Sequence, residues 1–87
     1  MSYSLYTPSR REKGIVNHVS TGSLSHCRQV MLNCINSDTQ NIYQIKHNES
    51  FNEYKYKTLY FSPTGIKISK EEYDTYKLMM YSEAKPL

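Results

Sequence analysis

The interior of this chain has to be built largely from tyrosine. Nine Tyr stand against two Phe and no Trp, and apolar residues of all kinds, Tyr included, make up 38% of 87 residues. A phenol buries a large ring but brings a hydroxyl that needs a hydrogen-bond partner. There are too few Phe, Leu and Val to fill a core without these rings, so the expectation is a small, aromatic-rich interior. A chain of this length buries roughly 60–65% of the surface it exposes when unfolded, which suits one domain over residues 1–87 with little stability to spare. Association with a second copy, giving a homodimer, or with a partner is one way to supply the rest. No stretch approaches the roughly 20 apolar residues of a membrane span. Met1–Thr7 shows no basic run followed by an apolar one, so a signal peptide is not expected.

Hydropathy period divides the chain into elements. Residues 1–14 read as an arm or short edge strand, with Tyr3, Leu5 and Thr7 alternating until Pro8 breaks the pattern. Residues 15–21 are β-branched and alternate, which indicates a strand. Leu24, Cys27, Val30, Met31, Cys34 and Ile35 trace one helical stripe, and Ser23 can cap that helix by accepting from its first-turn amides. Residues 41–48 and 53–61 read as a hairpin, with Tyr54, Tyr56 and Tyr60 on one face of the longer strand. Ser62-Pro63-Thr64-Gly65 is a turn before a short strand at 66–68. Ser69-Lys70-Glu71-Glu72 is a capping box opening a last helix over about 70–84, with Tyr73, Tyr76, Met80 and Ala84 along one side. The expected fold is α+β: a three- or four-stranded, mostly antiparallel sheet with two amphipathic helices on one face. Residues 15–46 fit a βαβ unit.

The net charge of +3 is concentrated at the start of the chain. Arg10, Arg11, Lys13 and Arg28 outnumber Glu12 in the first 36 residues, while Lys and acids balance beyond them. Such a cluster attracts phosphate or an acidic protein face. Cys27 and Cys34 lie two helical turns apart, about 10 Å by helical rise. That exceeds the roughly 7 Å limit for a disulfide, so both thiols are expected reduced, in keeping with a cytoplasmic setting. Tyr, Lys, Asn and Ile are abundant and Ala is nearly absent. That bias accompanies AT-rich coding sequences, phages and mobile elements among them; it is an association rather than a mechanism.

No catalytic or cofactor motif emerges. His18, His26, His47, Cys27 and Cys34 have no paired metal-ligand spacing. His26 and Cys27 are neighbours that would point about 100° apart on a helix. Glu71, Glu72 and Asp74 suit the positive end of a helix dipole, and three scattered Gly cannot build a phosphate loop. Neither an enzyme nor a bound cofactor or metal is expected.

What remains is binding. Tyr54-Lys55-Tyr56-Lys57 interleaves rings and cations as single-strand nucleic-acid binders do, although a strand sends its Tyr and Lys to opposite faces. Met79 and Tyr81 widen the apolar surface of the last helix beyond one stripe, and Tyr and Met are interface-prone. Gly65-Ile66-Lys67-Ile68-Ser69-Lys70-Glu71-Glu72-Tyr73 resembles the strand-to-helix junction of the positive-cofactor-four coactivator family, whose members bind single-stranded DNA as dimers. That resemblance covers less than a fifth of the chain, and the 24–35 helix falls where that family has strands. No functional residue is transferred on it.

The sequence therefore leads to a non-enzymatic binding protein. The picture is a phage or mobile-element accessory factor that inhibits or modulates a host protein, with no membrane partner. The alternative is single-stranded nucleic-acid binding through Tyr54, Lys55, Tyr56, Lys57 and the cluster Arg10, Arg11 and Lys13.

Overall fold

A computed structural model describes residues 2–37, 41–47 and 58–83. Its elements are β1 (Tyr3–Pro8), β2 (Val16–Gly22), α1 (Leu24–Ser37), β3 (Tyr43–His47), β4 (Thr58–Phe61), β5 (Lys67–Ile68) and α2 (Lys70–Glu83). The fold is α+β, with a five-stranded antiparallel sheet in the order β2-β1-β3-β4-β5. This corrects the expected three or four strands. The additional strand is β1, which the sequence places in an arm or at an edge and which instead lies between β2 and β3.

Pro8 can sit in that interior strand because of where the ladders end. Its pairing with β2 reaches Val16, while the β1–β3 ladder stops at Tyr6↔Gln44. The missing N–H therefore falls beyond the last β3 partner and breaks no ladder bond on that side. A bulge at Leu5/Tyr6 takes up Val19 of β2. Both β2 and β3 are antiparallel to β1, so they run parallel to each other. The expected βαβ unit is thus present in split form, with β1 between its two strands.

Leu5, Tyr43, Ile45 and Phe61 point from one sheet face into a cluster with Cys27, Met31 and Ile35 of α1. Registers explain the grouping: Leu5 pairs with Ile45, and Tyr43 with Phe61. Side chains directly opposite share a face. Each fully buried Leu, Ile or Phe contributes about 1.5–3 kcal/mol. Ser23 caps α1, its Oγ accepting from the His26 amide at 3.1 Å.

α2 lies on the other face. Tyr60 pairs with Gln44 and alternates with Phe61, so it points away from α1. Its ring meets Tyr73 of α2 at 4.8 Å, tilted by 53°. The two helices flank the sheet rather than sharing one face, which corrects that part of the expectation. The alternation of β4 leaves a ring on each side, Tyr60 opposite Phe61, and each side takes a helix. Tyr54 and Tyr56 lie outside the described residues. Ser69 and Glu72 close the capping box: the Ser69 amide donates to Glu72 Oε1 and the Glu72 amide to Ser69 Oγ, both at 3.1 Å.

The turn before β5 uses its glycine. Gly65 has φ +87°, and a Cβ there would sit 3.2 Å from methyl groups of Leu32 and Ile35. Ser62 Oγ accepts from the amides of Thr64 and Ile66, which holds the turn closed.

Candidate functional site

The expected binding residues separate into three groups. Arg10, Arg11 and Lys13 lie exposed on the β1–β2 loop. Ser9 Oγ shapes that loop by accepting from the amides of Arg11 and Glu12 at 3.2 and 3.1 Å. Gly14 completes it at φ +90°. Arg10 Nε donates to Asn41 Oδ1 at 3.0 Å, fixing one guanidinium beside the entry to β3. Tyr54, Lys55, Tyr56 and Lys57 lie outside the described residues.

Met79 and Tyr81 are both on α2 and point differently. Tyr81 is half-buried, and its hydroxyl donates to the Ser9 carbonyl at 2.8 Å. It ties the helix to the basic loop across 72 residues of sequence. Met79 is 53% exposed, beside Leu78 at 64% and Tyr76 at 37%. The buried anchor of this helix is Tyr73, with Lys77 Nζ over its ring at 5.7 Å. Tyr76, placed by its period on the same side as Tyr73, turns outward with Met79. The result is a helix with Tyr73 inward and three large apolar side chains exposed, Tyr76 and Met79 one turn apart and Leu78 about 100° round the helix from Met79. A salt bridge of 3.0 Å between Lys70 and Asp74 fixes the first turns.

A third surface involves residues that reading by motif passed over. On the sheet face turned away from α1, Tyr6 meets His18 edge-on at 5.5 Å, and Lys46 Nζ stands 5.8 Å over the same ring. His18 Nε2 and Thr21 Oγ1 are hydrogen-bonded at 2.7 Å, and Thr21 Oγ1 in turn meets Ser4 Oγ at 3.1 Å. Tyr6, His18 and Lys46 are distant in sequence. Only the registers Tyr6↔His18 and Tyr6↔Gln44 bring them together, so no local motif could have marked them.

Among the described residues no three His, Cys, Asp or Glu side chains converge as metal ligands. Both cysteines are free thiols, Cys27 buried and Cys34 half-buried. Burial pushes the Cys27 thiol up from its ordinary range, partly offset by a hydrogen bond with the Gly22 backbone. Ser20 Oγ and His26 Nε2 are 2.9 Å apart, but no carboxylate orients that ring among the described contacts. Among the described residues no helix is long and apolar enough to cross a membrane. No protein-family model, curated protein or solved structure matches this chain.

Proposed function

We propose that this chain is a non-enzymatic binding protein that works by occupying the surface of another protein, with the outer face of α2 as its docking surface. The observation that carries this reading is the exposure of three large apolar side chains, Tyr76, Leu78 and Met79, on a helix already anchored by Tyr73. Burying three such side chains against a partner would contribute several kcal/mol on the area scale, before the cost of association is subtracted. The residue bias extends the reading to a phage or mobile-element accessory factor acting on a host protein in the cytoplasm.

Affinity capture from a bacterial lysate tests it. The wild-type chain is expected to retain a defined partner, and the double variant Leu78→Asp/Met79→Asp to lose it while its thermal midpoint stays within a few degrees. Recovery of nothing but copies of this chain, or of the same partner by both forms, would overturn the proposal.

A second reading rests on Tyr6, His18 and Lys46 on the sheet face turned away from α1. Rings and a cation so placed suit stacked bases and a phosphate backbone. Polarisation of a fluorescent oligonucleotide at low salt discriminates. Binding that weakens steeply with salt, with a slope reduced by about one in Lys46→Ala, favours it. No polarisation change removes it.

A further inference from the structure

The two edges of the sheet differ in how they are protected. β5 closes one edge with two residues, one of them Lys67, and runs straight into the cap of α2. Short length and a lysine are common protections of an open edge. β2 at the other edge has seven residues, Val-Asn-His-Val-Ser-Thr-Gly, with no proline and no Asp, Glu, Lys or Arg. Among the described residues no strand pairs with its outer side.

The hairpin decides which main-chain groups point outward. The Ser9 amide donates to the Ile15 carbonyl at 2.9 Å, so the main chain of Ile15 faces β1. Main-chain groups alternate in direction from one strand residue to the next. Asn17 therefore also faces β1, and the amides and carbonyls of Val16 and His18 point away from the sheet. The bulge at Val19 lies just beyond them. Ile15 and Val16 are 49% and 46% exposed, and the side chains of Asn17 and His18 are exposed as well. Open main-chain donors and acceptors two residues apart, beside bare aliphatic side chains, are complementary to another extended strand.

A second copy of β2 meets that requirement. With antiparallel pairing about a two-fold axis at Asn17, Val16 of each copy exchanges main-chain bonds with His18 of the other, and every outward amide and carbonyl of the stretch is satisfied. The same register sets Ile15 opposite Val19 of the other copy and Val16 opposite His18, which covers both exposed aliphatic residues. The lack of charge permits it. A two-fold axis places side chains of one short segment against each other, and like charges so placed are destabilising. Charge also selects the orientation. Arg10, Arg11 and Lys13 precede β2, so parallel pairing would bring two basic loops side by side. Antiparallel pairing carries them to opposite ends, farther apart than the Debye length of about 8 Å.

We propose that the chain forms a homodimer through β2, antiparallel and centred on Asn17, joining two sheets into one. So short a ladder covers less than the roughly 1,200 Å² of standard interfaces, so the dimer is weak and forms as concentration rises. The edge is separate from the outer face of α2, and neither reading depends on the other.

Sedimentation velocity of the full-length chain from about 10 μM to about 1 mM tests this. The mass is expected to climb towards that of two copies, with amide protection at Val16 and His18 growing in step. Val16→Pro removes an outward amide and spares the β1 ladder, since proline is tolerated on the open side of an edge strand. It should raise the dimer Kd at least about tenfold. If it unfolds, Val16→Lys serves in its place. Asn17→Cys should cross-link into a covalent dimer on oxidation, because the two positions face each other across the axis. Wild type, with Cys27 and Cys34 alone, and Thr75→Cys on α2 should cross-link far less. A monomer at every concentration would overturn the proposal, as would a dimer undiminished in a folded Val16 variant. Cross-linking of Thr75→Cys equal to that of Asn17→Cys would overturn it too. Protection at Val16 and His18 gained only on adding a lysate would overturn it in favour of a foreign strand.

Discussion

Tyr73 carries the tension of an interior filled with phenols. It is 2% exposed, and its hydroxyl is buried with no hydrogen-bond partner among the described residues. An orphaned buried hydroxyl costs about 1–3 kcal/mol, partly offsetting what the ring contributes. Tyr73→Phe keeps the ring against Tyr60 and deletes the orphan, so the variant should be equal to wild type or more stable by up to about 1 kcal/mol at pH 7. Urea unfolding measures it. A loss above about 1 kcal/mol would mean the hydroxyl is bonded after all. Burial, with smaller contributions from Tyr60, Tyr81 and Asp74, also pushes this phenol far above its ordinary value of 10.0. In the unfolded chain it ionises near that value, while in the folded chain it stays protonated. Stability is therefore intact below about pH 10 and declines above it. Repeating the unfolding at pH 10.5 should widen the advantage of the Phe variant.

At the level of elements, the last helix depends on a reciprocal cap. Ser69 and Glu72 each receive an amide of the other, so Ser69→Ala should cost about 1 kcal/mol, and the loss should be smaller when Glu72 is already Ala. A double-mutant cycle by thermal unfolding measures the coupling; full additivity would show that the two act separately. The sequence spelled out this device because a cap is a local pattern, and the stripe of α1 was legible for the same reason. The elements over 16–22, 24–37 and 70–83 lie close to where period and caps put them. Less legible was what covers what. Alternation in β4 separates Tyr60 from Phe61 without saying that each face has its own helix. Pro8 marked β1 as an edge because its tolerance depends on where β3 stops, a long-range fact. Tyr81 looked like contact surface until Ser9, far away in the chain, turned out to accept its hydroxyl. The width of the apolar surface of α2 left open which of Met79 and Met80 packs inward; in the fold Met79 is exposed.

Across the whole molecule, protection should follow strand position rather than strand length. Among the described residues β2 is the longest strand, with seven residues, but it occupies an edge, and β5 at the other edge has two. β1 and β3 lie inside and hold Leu5 and Ile45, both fully buried. Native-state hydrogen exchange should find the Leu5 and Ile45 amides among the slowest and those of Lys67 and Ile68 faster by orders of magnitude. Slower exchange along β2 than along β1 would contradict this hierarchy and indicate that the outer edge is covered by another chain.

The sheet order also bears on how the chain is made. β1 comes first in sequence and settles one strand in from the edge, β2 joins one side of it and β3 the other, then β4 joins β3 and β5 joins β4. A nascent polypeptide leaving the ribosome can therefore assemble outward from its earliest hairpin, each newcomer docking on a border already available. No strand has to prise apart two that were synthesised before it.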